Sequence, residues 1–262
     1  MTAFAERICE SPEVFDADRG ADVLATVRNS LVEDPGAARA IEFLDSPKVA
    51  SFLTAVFSAS PFLAALSERN PDLVAACLTE DPSTHLEQAG AKLEPNMAEA
   101  PSEATAMALL RDFKKRSALL TALADLGGVW TTAETLSGLS YAADISIRTA
   151  VSYLFRKAHE TGRLTSADVN GYFVIAMGKL GAMELNSSSD VDIIVFYGSE
   201  RAGRAETEEP SAFFVKLTRD LVRLLQEQTK DGYAYRTDLR LRPDPGATQV
   251  ALSTEAGLIY YE

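Results

Sequence analysis

The sequence predicts an α+β protein, with a mainly helical region over residues 1–162 followed by a small sheet flanked by helices over 163–262. Two observations carry that reading. Up to Gly162, apolar residues recur at three- and four-residue spacings between proline-marked starts, as in short helices sharing a core. Beyond Gly162 the spacing gives way to compact apolar runs bounded by glycine and polar residues, as in strands.

The helical region is punctuated by a short polar residue followed by proline: Ser11-Pro12, Asp34-Pro35, Ser46-Pro47, Ser60-Pro61, Asn70-Pro71 and Asp81-Pro82. Each reads as a helix start, because the polar side chain can cap free N–H groups and proline lacks only an N–H that has no partner there. Ser83 to Ser102 is polar and small, with two more prolines, and reads as a loop or weakly packed helix. Ala104 to Leu126 reads as a helix with Leu109, Leu110, Phe113, Leu119, Leu120 and Leu123 on one broad inward face and Arg111, Lys114, Lys115 and Arg116 largely outside it. Gly127-Gly128 ends it, and Trp130 reads as a packing anchor. Thr131 with Glu134 forms a capping box for a short helix, and a longer helix is expected from Ala142 to His159. Then come a buried strand over Tyr172 to Met177, a second over Val191 to Tyr197, a helix over Ala212 to Gln228 and a third strand over Tyr233 to Leu241. The ending LSTEAGLIYYE opens another apolar helix and stops within it, so a longer parent chain is expected.

Composition narrows the function. The 262 residues are 47% hydrophobic and carry a formal charge of −13, with a pI near 4.7. Such a field repels phosphate backbones and offers no basic stripe to duplex nucleic acid or an anionic membrane, so neither is expected as a partner. Cys9 and Cys77 are far apart and lack CxxC spacing, which leaves no disulfide framework or zinc cluster. With no apolar run of about 18 residues and no basic, apolar leader, a cytoplasmic location is expected. His85 and His159 both lie far in sequence from the residues that carry chemistry, so Ser-His-Asp or Cys-His catalysis has little support.

Those residues begin in YFVIAMGKLGAMELNSSSDVDIIVFY, Tyr172 to Tyr197. Side chains alternate along a strand, so Asp190 and Asp192 face one way while Val191 and Ile193 face the core. Two carboxylates on one cleft repel unless a divalent cation such as Mg²⁺ or Mn²⁺ lies between them, and a nucleotide phosphate is the fitting client. Gly178 permits a sharp turn and close phosphate approach, and Lys179 can neutralise a phosphoryl oxygen; a plain turn is the simpler alternative. Ser187, Ser188 and Ser189 could donate to phosphate or could cap the loop. On the third expected strand, Arg236, Asp238, Arg240 and Arg242 fall on alternate positions. They form either a structural ion-pair ladder or a third metal carboxylate, Asp238, with arginines to grip phosphate.

MGKLGAMELNSSSDVDIIVF and DLRLRPDPGATQVALS, supported upstream by FKKRSALLTALADLGGVW and SPFLAALSERNPDLVAACL, resemble the bacterial glutamine synthetase adenylyltransferases, a family in the nucleotidyltransferase superfamily. The resemblance implies a nucleotidyltransferase-like small mixed sheet flanked by helices. Of the family's two catalytic halves, the ELNSSSD wording before the acidic pair resembles the N-terminal one. That half removes AMP from a glutamine synthetase tyrosine by phosphorolysis, giving ADP. Carried over by motif, the metal carboxylates are Asp190, Asp192 and Asp238, holding two Mg²⁺ ions or Mn²⁺ in their place. Gly178, Lys179, Ser188 and Ser189 form the nucleotide-side loop, and Arg240 and Arg242 stand in the matching RLRP wording. Implied partners are glutamine synthetase, ATP or ADP, phosphate and a PII-type signal protein. Two alternatives stand beside this one: transfer of AMP from ATP to a protein acceptor, and a non-catalytic module that docks on glutamine synthetase.

Overall fold

In the computed structural model, which describes residues 2–198, 203 and 209–262, the chain groups into two compact units. One holds the residues up to Ala89 with Lys115–Gly138; the other holds Gly90–Lys114 with Leu139–Glu262. The dividing points therefore fall inside helices, and residues 90–114 and 139–162 cluster with the sheet.

The first unit is helical: α1 (Phe4–Arg7), α2 (Ala17–Leu31), a 3-10 turn (Pro35–Ala37), α3 (Ala38–Leu44), α4 (Pro47–Ala59), α5 (Pro61–Arg69) and α6 (Pro71–Thr79). To these it adds the start of α7 (Pro82–Glu99), the end of α8 (Glu103–Leu126) and the start of α9 (Thr132–Glu160). Five of the six polar-proline marks open a helical segment. Asp34, Ser60 and Asp81 accept from the amides of Gly36, Leu63 and Ser83, whereas Pro47 and Pro71 start α4 and α6 without a side-chain cap. Ser11-Pro12 starts none. Asp16 caps α2 instead by accepting from the Arg19 amide, while Phe15 N–H is held by the Ser58 hydroxyl.

Two other expectations for the helices change. Ser83 to Ser102 is mostly the regular helix α7, anchored by buried Leu86, Leu93 and Met97. It runs through Pro95, which lies on the exposed side where water can take up the carbonyl left without a partner. The two helices expected after Thr131 are one, α9. Gly138 within it packs against Trp130: a Cβ there would lie 2.8 Å from that buried ring. The capping box at its start forms as expected, with Thr131 N–H donating to Glu134 at 2.7 Å. Among the described residues no single helix is long and apolar enough to cross a membrane; α4 and α5 qualify only as a pair bent by 117°.

The second unit carries β1 (Tyr172–Ala176), α10 (Gly178–Gly181), β2 (Val191–Tyr197), α11 (Pro210–Gln226), β3 (Thr237–Asp238), β4 (Leu252–Ser253) and α12 (Thr254–Tyr261). This is the small mixed sheet flanked by helices that the sequence predicts. β2 is its centre: β1 pairs with it antiparallel, whereas β3 and β4 run parallel to its beginning and end. Val191, Ile193, Ile194 and Val195 are buried, and Tyr197 stacks on Phe214 of α11 with ring centroids 4.5 Å apart. β1 is less buried than its apolar run suggests. Tyr172 is enclosed and hydrogen-bonds Thr218 at 2.8 Å, yet Phe173 and Ile175 stand 44% and 45% exposed on an open apolar groove beside α12.

β3 is two residues long, not nine. Past Asp238 the chain turns, because the Arg240 amide donates to Asp238 Oδ1 at 2.7 Å and Pro243 and Pro245 follow. Its approach is fixed by Arg111 of α8, which is 1% exposed instead of lying outside the apolar face. The guanidinium donates to the carbonyls of Leu224 (2.9 Å), Glu227 (2.5 Å) and Gly232 (2.9 Å), tying down the connection from α11 to β3. Burial lowers its pKa, with Glu227 and Asp231 opposing that shift. Lys114, one turn on, stacks over the Tyr235 ring at 4.4 Å, and burial pulls its pKa down to about 8. Replacing Arg111 by Met would leave those three carbonyls unanswered. We expect Arg111→Met to lower unfolding stability by on the order of 2–4 kcal/mol in denaturant titration, with local loosening over residues 224–238 in hydrogen exchange.

Candidate active site

The parallel pairing of β2 with β3 sets Val191 opposite Thr237 and Asp192 opposite Asp238. Register partners on adjacent strands present side chains to the same face, so these two carboxylates stand side by side. Val191 N–H donates to the Arg236 carbonyl at 2.9 Å, which fixes the register one residue before the acidic pair. Asp190 lies just before β2, near enough for its charge to act on Asp192, and β2 is held from its other side by Met177 N–H donating to the Asp192 carbonyl at 2.8 Å.

That last bond brings the Gly178-Lys179 turn against Asp192. Gly178 has φ +54°, and a Cβ there would lie 2.8 Å from Asp192 Oδ2, so conformation and space both call for glycine. Lys179 Nζ reaches the Ser189 hydroxyl at 3.3 Å, and that hydroxyl in turn donates to Asn186 at 2.5 Å. Ser188 contributes its carbonyl, which accepts from Arg236 Nη2 at 3.0 Å; its side chain is exposed. The loop is rooted by buried Leu185, whose amide donates to the Ser140 hydroxyl of α9 at 3.0 Å.

The three carboxylates have different neighbours. Arg236 Nε meets Asp190 at 2.5 Å. Asp238 is clasped by Arg240, whose Nη2 lies 2.6 Å from Oδ2 and whose Nε lies 2.9 and 3.1 Å from the two oxygens. Asp192 has no ion pair among the described residues. Its pKa is raised, first by burial and then by the charges of Asp238 and Asp190, against which Arg240 and Lys179 act. Asp238 is shifted the other way, chiefly by its hydrogen bond from Arg240.

Asp190, Asp192, Asp238, Gly178, Lys179, Ser189 and Arg240 are thus gathered at one end of β2. Arg242 is near enough for its charge to help lower the Asp238 pKa, but its Nη1 donates to Leu239 and its Nη2 to Pro245 and Thr248, so those donors close the turn after β3. Arg236, read from sequence as part of a ladder or as a phosphate grip, is a strut between Asp190 and Ser188, and Asn186 and Ser140 shape the loop with no motif to reveal them. His85 pairs with Glu80 and His159 with the Leu164 carbonyl, away from these residues in sequence and in bonding.

Among the described residues no three His, Cys, Asp or Glu side chains converge as a ready metal cage. The donor chemistry nevertheless suits a hard divalent cation. Carboxylate oxygens on adjacent strands share a face where negative charge already disfavours ionised Asp192, and a cation between Asp192 and Asp238 would relieve it.

The family model described as glutamate-ammonia ligase adenylyltransferase matches residues 50–262 of the sequence. The chain belongs to that family. It is 41% identical over 98% of its length to the bifunctional glutamine synthetase adenylyltransferase/adenylyl-removing enzyme of Bradyrhizobium sp. strain BTAi1. It is 42% identical over 97% of its length to the protein of that name from Xanthobacter autotrophicus, and 41% over 95% to that from Mesorhizobium japonicum. The alignments cover 27%, 26% and 26% of those proteins, so the chain spans about a quarter of the relatives it matches. The adenylyltransferase family resemblance seen in the sequence is therefore correct, and it extends over nearly the whole chain.

The opposite shifts of Asp192 and Asp238 give a sign test. A raised carboxyl pKa means stability present below the unfolded value near 4 and lost as pH rises through the folded one, so ionised Asp192 is a net cost at pH 7. The lowered pKa of Asp238 contributes stability above the unfolded value that is lost as pH falls. In chelator at pH 7, Asp192→Asn should raise the melting midpoint by about 1–3 °C and Asp238→Asn should lower it by about 1–3 °C. Calorimetry showing both shifts in one direction would contradict the assigned electrostatics.

Proposed function

We propose that the chain is a nucleotidyltransferase acting on glutamine synthetase: it removes AMP from an adenylylated tyrosine by phosphorolysis, giving ADP and the free tyrosine. What supports this most is the in-register pair Asp192 and Asp238, with Gly178 pressed against it. The family membership and the relatives' names agree with the class of reaction. The ELNSSSD wording before Asp190 supports the adenylyl-removing direction.

Asp192 and Asp238, joined by Asp190, would hold Mg²⁺, or Mn²⁺ in its place, in a pair of ions. Bound there, divalent cations supply charge that offsets the negative charge built on the phosphoryl oxygens during an in-line displacement. The chain's own groups do the rest. Gly178 lets the phosphoryl group come close to the turn, and Lys179 Nζ neutralises one of its oxygens. Ser188 stands at the loop to donate its hydroxyl hydrogen, Ser189 can do so on giving up its bond to Asn186, and Arg240 adds a planar fork of donors.

The reactants need little proton transfer. Inorganic phosphate is anionic near neutral pH, and a tyrosine phenolate, with a parent pKa of about 10, leaves readily once stabilised. The site accordingly holds no histidine or strong general base among the residues gathered at β2. Residues 163–262 contain all of these groups and form the proposed catalytic core. Control by a PII-type signal protein and a cytoplasmic setting are parts of the same proposal. The relatives' names couple removal with transfer, so movement of AMP from ATP to a protein acceptor is kept as the second reading.

Incubation of adenylylated glutamine synthetase with the protein, Mg²⁺ and phosphate should release ADP, and omission of phosphate should abolish it. Asp192→Asn should cut the rate by at least roughly a hundredfold, with the fold retained by circular dichroism. ATP-dependent labelling of unmodified glutamine synthetase, with no phosphate-dependent ADP, would select the second reading. Release of ADP by the Asp192→Asn, Asp238→Asn double variant at the native rate would remove the site from the reaction.

A further inference from the structure

Both outer carboxylates of the cluster are held by arginines, but the two pairs are built differently. Arg236 has more than one anchor: its Nε meets Asp190 and its Nη2 the Ser188 carbonyl, while its own carbonyl receives the Val191 amide. It joins two strands at fixed register. Arg240 Nε and Nη2 meet Asp238 alone, with the side chain 83% exposed, whereas that of Asp238 is 16% exposed.

The Asp238 oxygens are nevertheless crowded. Oδ1 accepts from the Arg240 amide at 2.7 Å and from Nε at 3.1 Å; Oδ2 accepts from Nε at 2.9 Å and Nη2 at 2.6 Å. A cation cannot share Oδ2 with a guanidinium lying across it, because two positive groups would compete for the same lone pairs at contact distance. The amide bond to Oδ1 is independent of the side chain and would keep the carboxylate aimed when the guanidinium leaves.

From this we infer that Arg240 is an exchangeable counter-ion. It covers Asp238 while the cluster lacks metal, yields Oδ2 when a divalent cation arrives, and transfers its fork to a phosphate group of the nucleotide. The inference rests on the nucleotidyltransferase reading and adds to it a coupling: one side chain opposes the metal and favours the nucleotide. Metal and nucleotide then bind cooperatively, since each removes what obstructs the other. The exchange costs little because the Arg240 end of the pair is solvent-exposed and is tethered two residues from Asp238 on a long, flexible stem.

The coupling predicts effects of opposite sign from one substitution. Mn²⁺ binding is measured by electron paramagnetic resonance without nucleotide, and ADP binding by calorimetry at saturating Mn²⁺, for the whole chain and its variants. Arg240→Ala should bind Mn²⁺ about two- to fivefold more tightly, the loss of a surface ion pair. It should bind ADP about tenfold more weakly, the loss of a charge-assisted contact. Arg240→Lys, which keeps the charge without the fork, should lie between the native protein and Arg240→Ala in both. If the native protein binds Mn²⁺ and ADP but Arg240→Ala moves both affinities in one direction, or leaves either unchanged, the exchange is overturned while the site reading survives. If neither protein binds Mn²⁺, the exchange and the transferase reading fall together.

Discussion

Everything at the end of β2 depends on two like charges forced into register. Backbone pairing between Val191 and Arg236 leaves Asp192 and Asp238 no choice of neighbour, and a strand face offers no route by which they can diverge. In a folded chain such a juxtaposition persists only when stronger forces hold the strands. Here they are the buried run Val191 to Val195, the stack of Tyr197 on Phe214, and the carbonyls that Arg111 gathers behind β3. The strain is electrostatic and local, and it makes the cluster receptive to positive charge.

Different parts of the surroundings answer that charge in different ways. Arg236 serves as architecture, Arg240 as a mobile partner, and Lys179 as a cation held back at the loop by Ser189. A sequence pattern that reads as one ladder of alternating arginines therefore resolves into three roles. Arg236 precedes the last paired residues of the strand, Arg240 lies in the turn, and Arg242 closes that turn on its own carbonyls. Alternation in sequence implied a shared face only as far as the strand continued.

The helices and the acidic pair were legible because their signals are local. A polar residue before proline, a threonine three residues before a glutamate, and an aspartate on either side of a buried valine each constrain their own neighbourhood. The failures had non-local causes. The stretch after Thr131 read as two helices, yet it is one, and Gly138 within it makes room for Trp130. Arg111 looked like a solvated charge, yet it finds carbonyls more than a hundred residues further along the chain. Ser11-Pro12 had the right letters, and Asp16 prevailed because its carboxylate accepts from the Arg19 amide. Ser140 and Asn186 carry no motif at all; only the folded loop shows that they shape it.

The interleaving of the two units also bears on how this protein can be dissected. Lys115–Gly138 is spliced between the two stretches that make up the sheet-bearing unit, and Gly90–Lys114 between those of its helical neighbour. A gene cut near residue 162 would discard Arg111 and Ser140 along with the helices that bear them, stranding the carboxylates on a ribbon without its buttresses. Isolating either half intact calls for a re-joined, circularly rearranged reading frame rather than a single stop codon.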